Sequence, residues 1–199
     1  MTAHTIDNPF TGDVAVSIEP TDSATLGQTL DRAKIASKAL AAMSVDERVA
    51  LCEKALEKFE ARKEEIAQDV TRQMGKPLGQ ARGEVGGMAG RWRHMQSIAK
   101  AALADIVLEP KENFERRIVR APLGVVLDLP AWNYPLLTAV NAIVPAVLAG
   151  NAVIVKHSPR TPLCAMHFAR AFEEAGAPAG AVQAIEVALR RLARGQLLG

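Results

Sequence analysis

The sequence is poor in cysteine: only Cys52 and Cys164 occur among its 199 residues, and they form no C-x-x-C pattern. Two cysteines so far apart exclude a disulfide framework and give no indication of a zinc site, so we predict no bound metal. Aromatic residues are also scarce, at 4% of the chain, and no cationic stripe is interleaved with them. We therefore expect no nucleic-acid partner.

Long hydrophobic runs are absent as well. No stretch approaches the roughly 18 consecutive apolar residues that a membrane-spanning helix needs, and the opening residues, MTAHTIDNPFTG, lack the apolar region of a signal peptide. These absences predict a cytoplasmic protein with no membrane partner. The net charge of +2 comes from the end of the chain, because the last twelve residues, ALRRLARGQLLG, contribute three arginines and no acid.

The first part of the chain, residues 1–102, is predicted to be helical because apolar residues recur there at steps of three and four. A capping box formed by Ser44 and Glu47 precedes the second of three helical segments, which runs from Val45 to Val70 with its pattern broken only at Lys63. Cys52 lies on the apolar stripe of that segment, so we interpret it as a packing residue rather than a reactive thiol. The stripes of the first and third segments consist of Leu26, Leu30, Ala33 and Leu40, and of Ala81, Val85, Met88, Trp92, Met95 and Ala99.

The third segment contains GEVGGMAG, residues 83–90. Its glycines lack the G-x-G-x-x-G spacing, no strand precedes them, and the apolar stripe continues through them, which argues against a phosphate-binding loop. Each glycine inside a helix costs about 1 kcal/mol relative to alanine. We therefore expect the four glycines to permit close backbone approach on the face opposite the stripe: Gly83, Gly86, Gly87 and Gly90.

From residue 103 onward the pattern is that of strands. DIVL and FERRIVR, separated by EPKEN, predict a hairpin arm over residues 103–122. Three nearly continuous β-branched strands, GVVLDL, NAVIVKH and AVQAIEV, then alternate with two helical segments over residues 123–187. This order predicts a βαβαβ unit with a buried parallel sheet, and thus an α/β protein.

Two polar residues, Asn133 and Lys156, follow the first two of these strands. Right-handed crossovers bring the carboxyl ends of parallel strands to one edge of the sheet, where open α/β sheets bind ligands. Asn133 either caps the helix that begins near Pro135 or forms an Asx turn, or it donates its amide to an oxyanion. Lys156 is either a surface lysine or a donor to the ribose or phosphate of a cofactor. The spacing of these residues leaves the alternatives open.

Longer stretches resemble the aldehyde dehydrogenase superfamily. WNYPL, PAVLAGNAVIVKHSPRTPL and AGAPAGAVQ match its motifs in order and spacing, and NPFTGDVAV and TRQMGKPLGQARGEV match its N-terminal region. The resemblance covers about residues 6–187, and LDLPAWNYPLLTAVN is most similar to the succinate-semialdehyde dehydrogenase branch. It implies a partial aldehyde dehydrogenase fold, in which N-terminal helices and a hairpin precede an incomplete Rossmann-like sheet. Residues 123–187 would then form the first half of the nucleotide-binding domain, followed by an atypical tail at 188–199.

The resemblance implies NAD(P)-dependent oxidation of an aldehyde substrate to a carboxylic acid. Asn133 matches the asparagine of the W-N-F/Y-P motif, which helps to form the family's oxyanion hole for the thiohemiacetal. Lys156 matches the lysine of the G-N-x-x-I/V-x-K motif, which bonds the adenosine ribose of the cofactor. Tyr134 is implied to face the aldehyde tunnel. The cofactor path is implied to be lined by Pro130, Ala131 and Trp132.

The chain departs from the family at Pro159, three residues after the lysine. NAD-preferring members commonly carry a glutamate there, which accepts hydrogen bonds from the ribose hydroxyls. Loss of that carboxylate removes its repulsion of a 2′-phosphate, and His157, Ser158 and Arg160 add donors. We therefore expect NAD or NADP as the cofactor, with Ser158 and Pro159 beside the ribose.

A second departure concerns the chemistry. The family's nucleophilic cysteine and its glutamate base lie beyond the end of this chain, and Cys164 is interpreted as a packing residue at the start of a helix. The sequence therefore predicts a truncated aldehyde dehydrogenase that is inactive alone. The alternatives are a non-catalytic nucleotide-binding or interaction subunit and one part of a split enzyme. Because an incomplete sheet exposes a strand edge, we expect self-association or association with a full-length relative.

Overall fold

The chain opens with a β-hairpin and a series of helices. The computed structural model describes residues 3–187, and the predicted tail at 188–199 lies outside the described residues. Strands β1 (His4–Asp7) and β2 (Val14–Ile18) pair antiparallel. Four helices follow: α1 (Ser23–Ala42), α2 (Val45–Glu60), α3 (Lys63–Met74) and α4 (Leu78–Ala102). The apolar periodicity of the sequence predicted the helical region but not the opening hairpin.

Strands and helices alternate in the second part of the chain. Strands β3 (Ile106–Val107) and β4 (Arg117–Ile118) form the predicted antiparallel hairpin, and their side chains are exposed. The remaining elements are β5 (Val125–Asp128), α5 (Pro135–Leu148), β6 (Ala152–Val155), α6 (Leu163–Glu174) and β7 (Val182–Ala184). The last three strands form a parallel sheet in the order β5-β6-β7. The predicted α/β fold class is therefore confirmed. Between residues 3 and 187, no helix has both the length and the apolar character needed to cross a membrane.

The apolar sequences of the three parallel strands predicted that all three would be buried, but the strands are buried to different extents. Every residue of β6 is buried, because this strand lies between its two neighbours. Strand β5 is only partly covered, and the side chain of Leu127 is 37% exposed. Within the described part of the chain β5 pairs on one side only, so its other side lacks the cover that a further strand would provide.

The predicted second helix is two helices. The capping box of Ser44 and Glu47 starts α2 as expected, but this helix ends at Glu60 and α3 begins at Lys63. The Arg62 backbone between them leaves helical geometry, with φ −109° and ψ 18°. No proline or glycine marks the break. The apolar stripe nevertheless continues across it, because α3 returns its own apolar face to the same core.

Between residues 3 and 187 nothing packs closely against the glycines of GEVGGMAG, so that prediction is wrong. All four lie between the two ends of α4, on its solvent-exposed face. A Cβ atom added to Gly83, Gly86, Gly87 or Gly90 would meet nothing within 4 Å. The opposite face of α4 carries the predicted stripe and packs against α2, α3 and α5. The described chain therefore leaves the glycine face open to solvent.

The helical core is centred on aromatic rings and includes both cysteines. The Trp92 ring of α4 is fully buried and lies 5.5 Å from the ring of Phe172 and 5.9 Å from that of Phe168, centroid to centroid. Cys52 of α2 and Cys164 of α6 are both buried without exposed surface. Their interpretation as packing residues is confirmed.

Candidate functional site

The carboxyl ends of β5 and β6 lie side by side and carry the predicted site. The Lys156 backbone N–H donates to the Asp128 carbonyl at 2.9 Å, and the Ser158 N–H donates to the Pro130 carbonyl at 3.1 Å. The second of these bonds lies beyond the last residue of either strand. Two segments that are separate in sequence, 129–134 and 156–160, therefore meet at one edge of the sheet.

Asn133 lies on the turn between β5 and α5 and is exposed. The N-cap position of α5 is occupied by Tyr134, whose side chain makes no hydrogen bond to the helix, and Pro135 occupies the first helical position. In the described part of the chain the Asn133 side-chain amide has no hydrogen-bond partner, which excludes the helix-cap alternative. The flanking rings are also accessible, since Trp132 is 52% and Tyr134 54% exposed. This turn thus presents one amide and two aromatic rings to the surface.

Lys156 is buried, which excludes the alternative of a surface lysine. Its side chain is 1% exposed, and its Nζ donates to the His157 carbonyl at 2.8 Å. Burial lowers the pKa of Lys156, and the nearby Glu186 carboxylate opposes that shift. The ammonium group therefore lies just beneath the edge at which the two segments meet.

His157 is not available to a cofactor phosphate, contrary to the expectation from sequence. Its ring nitrogens contact the Pro135 carbonyl at 3.1 Å and the Thr161 hydroxyl at 3.0 Å. Burial also lowers the pKa of His157 to about 4, so the ring is neutral at physiological pH. His157 instead joins the end of β6 to the start of α5.

The other residues of this segment are more accessible. Pro159 is exposed and Ser158 partly buried, and the Ser158 hydroxyl accepts a hydrogen bond from the Arg160 N–H at 3.3 Å. Arg160 donates from Nη1 to the Asp7 carboxylate at 2.6 Å. Asp7 belongs to β1, so the opening hairpin, which was not predicted, reaches the edge of the site.

Asp128, the last residue of β5, is a buried acid at the same edge. Its Oδ2 has no hydrogen-bond partner among the described residues. Burial raises the pKa of Asp128 to about 7, although the Leu129 N–H opposes the shift. A carboxyl group at the site therefore titrates well above the usual range of an aspartate.

Lys76 and Glu84 also contact the Asn133 turn, and neither was predicted as a site residue. Both are buried, and they form an ion pair. A sequence signal did exist for Glu84: it lies three residues after Ala81 and four before Met88, on the apolar stripe of α4. A charged residue in such a position needs a partner in the interior.

Neither cysteine has the environment of a nucleophile. Burial raises the pKa of the Cys52 thiol to about 12 and that of Cys164 well above its ordinary value. The thiolate is the reactive form, and apolar burial suppresses it. Among the described residues, the exposed Asn133 amide therefore has no activated thiol beside it.

One other cluster has ligand atoms spaced as a metal ion would require. The side-chain ligand atoms of Glu65, Asp69 and His167 lie within 4.8 Å of one another. Asp69 already accepts from Arg72 at 2.7 Å and contacts His167 at 2.9 Å, and Arg170 lies 4.0 Å from Glu65. Since both carboxylates are paired with arginines, we interpret the cluster as an ionic contact between α3 and α6.

Residues 2–193 match the profile of the aldehyde dehydrogenase family. The chain belongs to this family. It is 33% identical over 174 residues to the succinate-semialdehyde dehydrogenase (NADP+) of Deinococcus radiodurans, an alignment that covers 87% of this chain and 36% of that relative. It is 41% identical over 126 residues to the succinate semialdehyde dehydrogenase (NAD(P)+) of Escherichia coli, covering 60% of this chain and 26% of that relative.

Solved structures of aldehyde dehydrogenases have the same fold. The aldehyde dehydrogenase of Brucella melitensis biovar abortus superposes with a TM-score of 0.88 at 29% identity, over 95% of this chain and 39% of its own. The NAD-dependent benzaldehyde dehydrogenase of Corynebacterium glutamicum gives 0.88 at 27% identity, over 96% and 42%. This aldehyde dehydrogenase chain therefore spans well under half the length of the relatives that it matches.

Proposed function

We propose that this aldehyde dehydrogenase chain forms the part of an NAD(P)-dependent active site that holds the adenosine ribose and stabilises an oxyanion. One observation carries the proposal: the hydrogen bond from Ser158 to Pro130 joins the Asn133 turn to the segment that follows Lys156. In an open α/β sheet, ligands bind outside the carboxyl ends of the strands. The aldehyde substrate and the cofactor would therefore meet at this edge.

The residues present suit a dinucleotide. The Lys156 ammonium has three N–H donors, and within the described chain it makes one hydrogen bond, to the His157 carbonyl. Two N–H donors of the ammonium group therefore remain for the hydroxyls of a ribose. The side chain would turn away from the His157 carbonyl to direct them there. Exposed Pro159 offers no carboxylate to repel a 2′-phosphate, and the Ser158 hydroxyl lies beside it. A bound dinucleotide would supply the hydride acceptor, with NAD and NADP both accommodated.

Lys156→Met is expected to weaken binding of both NAD+ and NADP+ at least tenfold. A hydrogen bond from a charged donor contributes about 1.5–3 kcal/mol, and methionine keeps the length of the side chain without its donors. Binding would be measured by isothermal titration calorimetry with the full chain. We expect the wild type to bind the two dinucleotides with similar affinity, because Pro159 replaces the discriminating carboxylate.

Lys100→Met is the matched control, since Lys100 is an exposed lysine at the end of α4 that pairs with Asp46. It should bind both dinucleotides as the wild type does. If the wild type binds neither, the cofactor role of this edge is wrong. If NAD+ binds more than tenfold more tightly than NADP+, the role of Pro159 is wrong.

The Asn133 amide supports the second half of the proposal. An uncharged donor that is fixed in place stabilises negative charge as it develops on a carbonyl oxygen. The exposed amide, with no protein partner among the described residues, has its Nδ2 donors available for that role. The oxyanion itself arises when a thiolate adds to the aldehyde carbon, and in this chain both thiols are buried.

The isolated chain is therefore expected to show no aldehyde oxidation. Nucleophilic catalysis requires an activated thiolate at the reacting carbon, and burial keeps Cys52 and Cys164 protonated. NAD(P)H absorbance would be followed with NAD+ or NADP+ and a series of aldehydes. Turnover by the wild type that disappears in Cys164→Ser would contradict this expectation, whereas turnover that persists in the variant would indicate a contaminating host enzyme.

A further inference from the structure

Helix α5 begins without a cap of its own. Its N-cap residue, Tyr134, makes no side-chain hydrogen bond to the helix, and Pro135 at the first position has no N–H. The N–H groups of Leu136 and Leu137 follow, and amides in the first turn of a helix have no acceptor within it. Buried amides of this kind need an acceptor from elsewhere in the protein.

Glu84 of α4 supplies that acceptor. Its Oε1 accepts from the Leu136 N–H at 2.9 Å and from the Leu137 N–H at 3.3 Å. A carboxylate at a helix N-terminus is also favoured by the helix dipole. Glu84 is 4% exposed, so its charge requires compensation, which comes from the ion pair between its Oε2 and Lys76.

Lys76 contacts the other side of the same turn. Its Nζ lies 3.3 Å from the Asn133 carbonyl, to which it donates, and 4.1 Å from the centroid of the Tyr134 ring. The Lys76–Glu84 pair thus contacts the backbone at Asn133 and the backbone three and four residues later. The pair holds the turn from both ends.

We propose that Lys76 and Glu84 are positioning residues for the Asn133 amide. The inference rests on the proposed oxyanion role of Asn133. Because the Asn133 side chain makes no hydrogen bond of its own in the described chain, its location depends on how firmly its backbone is held. An oxyanion donor must lie about 2.7–3.1 Å from the developing charge, and a displacement of about 1 Å can cost a factor of 10² in rate.

The test uses the full chain labelled with ¹⁵N and two readouts. Hydrogen exchange of the Leu136 and Leu137 amides reports the contact with Glu84. The shift of the Asn133 side-chain NH2 signal on titration with propionate, a carboxylate with the shape of the product, reports the oxyanion-binding geometry. Sodium chloride at equal ionic strength serves as the blank. Arg82→Met is the matched control, because Arg82 lies on α4 and forms an exposed ion pair with Glu64.

In the wild type and in Arg82→Met, propionate is expected to give a saturable shift of the Asn133 signal. Glu84→Ala should raise exchange of the Leu136 and Leu137 amides at least tenfold, and both Glu84→Ala and Lys76→Met should weaken propionate binding at least fivefold. Glu84→Gln retains an acceptor for the amides, so their exchange should stay within threefold of the wild type. Should Glu84→Ala fail to fold, Glu84→Gln and Lys76→Met still decide the outcome.

Failure of the inference and failure of the proposed function give different results. If Lys76→Met and Glu84→Ala respond to propionate as Arg82→Met does, the positioning role is wrong and the oxyanion role stands. If the wild-type Asn133 signal does not respond to propionate beyond the chloride blank, the oxyanion role is wrong and the positioning role falls with it.

Discussion

Asp128→Asn is expected to stabilise the chain by about 3 kcal/mol above pH 8 and to leave its free energy of unfolding little changed near pH 4. Burial raises the pKa of Asp128 from its ordinary 3.8 to about 7. Between these values the folded state holds a proton that the unfolded state has released, so the free energy of unfolding falls as the pH rises. A shift of this size corresponds to about 4 kcal/mol, which we reduce to about 3 because water still reaches part of the side chain.

His157 acts in the opposite direction and provides a second signature. Burial lowers its pKa from 6.5 to about 4, so between these values the unfolded state binds the proton and stability rises with pH. In the wild type the contributions of Asp128 and His157 offset one another over this range. In Asp128→Asn the rise due to His157 should become visible.

Urea unfolding followed by circular dichroism at pH 4, 5, 6, 7 and 8 would measure both effects. Asp31→Asn controls for the loss of one negative charge, because the Asp31 side chain is 75% exposed. Such a surface change is expected to alter stability by no more than about 0.5 kcal/mol. Parallel stability curves for the wild type and Asp128→Asn would show that Asp128 titrates as an ordinary surface acid and would contradict the prediction.

Trp92→Ala is expected to reduce the free energy of unfolding by about 3–5 kcal/mol, the usual cost of replacing a buried aromatic side chain by alanine. Trp92 is fully buried and packs against three rings, those of Phe59, Phe168 and Phe172. These rings come from α2 and α6, so the cavity would open where the N-terminal helices meet the helices of the parallel sheet. A domain with about 5–15 kcal/mol of total stability would lose a large share of it.

The chain's other tryptophan supplies the control. Trp132 is 52% exposed on the turn at the site, and Trp132→Ala should cost no more than about 0.5 kcal/mol. Trp92→Phe should cost less than Trp92→Ala, because it keeps a ring and removes an N–H that has no partner in the described chain. Equal destabilisation by Trp92→Ala and Trp132→Ala in urea unfolding would contradict the assignment of Trp92 to the core.

The sequence by itself determined the fold class, most of the elements and the family. Apolar steps of three and four predicted the helices, and three β-branched runs predicted the parallel strands, because periodicity records which side of an element faces the interior. The packing of Cys52 followed from the same stripes, and that of Cys164 from its position at the start of a helix. Parallel topology also predicted that the segments carrying Asn133 and Lys156 would meet at one edge, since parallel strands end on the same side.

Only the tertiary structure decided what these residues meet. The sequence marks the break at Arg62 only by the interrupted apolar pattern at Lys63, which does not by itself end a helix. The exposed glycine face of α4 depends on which elements approach it. The contacts of His157 with Pro135 and of Glu84 with Leu136 join segments that are distant in sequence. The burial of Asp128, which leaves its Oδ2 without a partner among the described residues, also depends on distant segments. Such distant neighbours decide which hydrogen bonds a side chain makes and how far it is removed from water. A periodic sequence pattern specifies only the direction in which the side chain points.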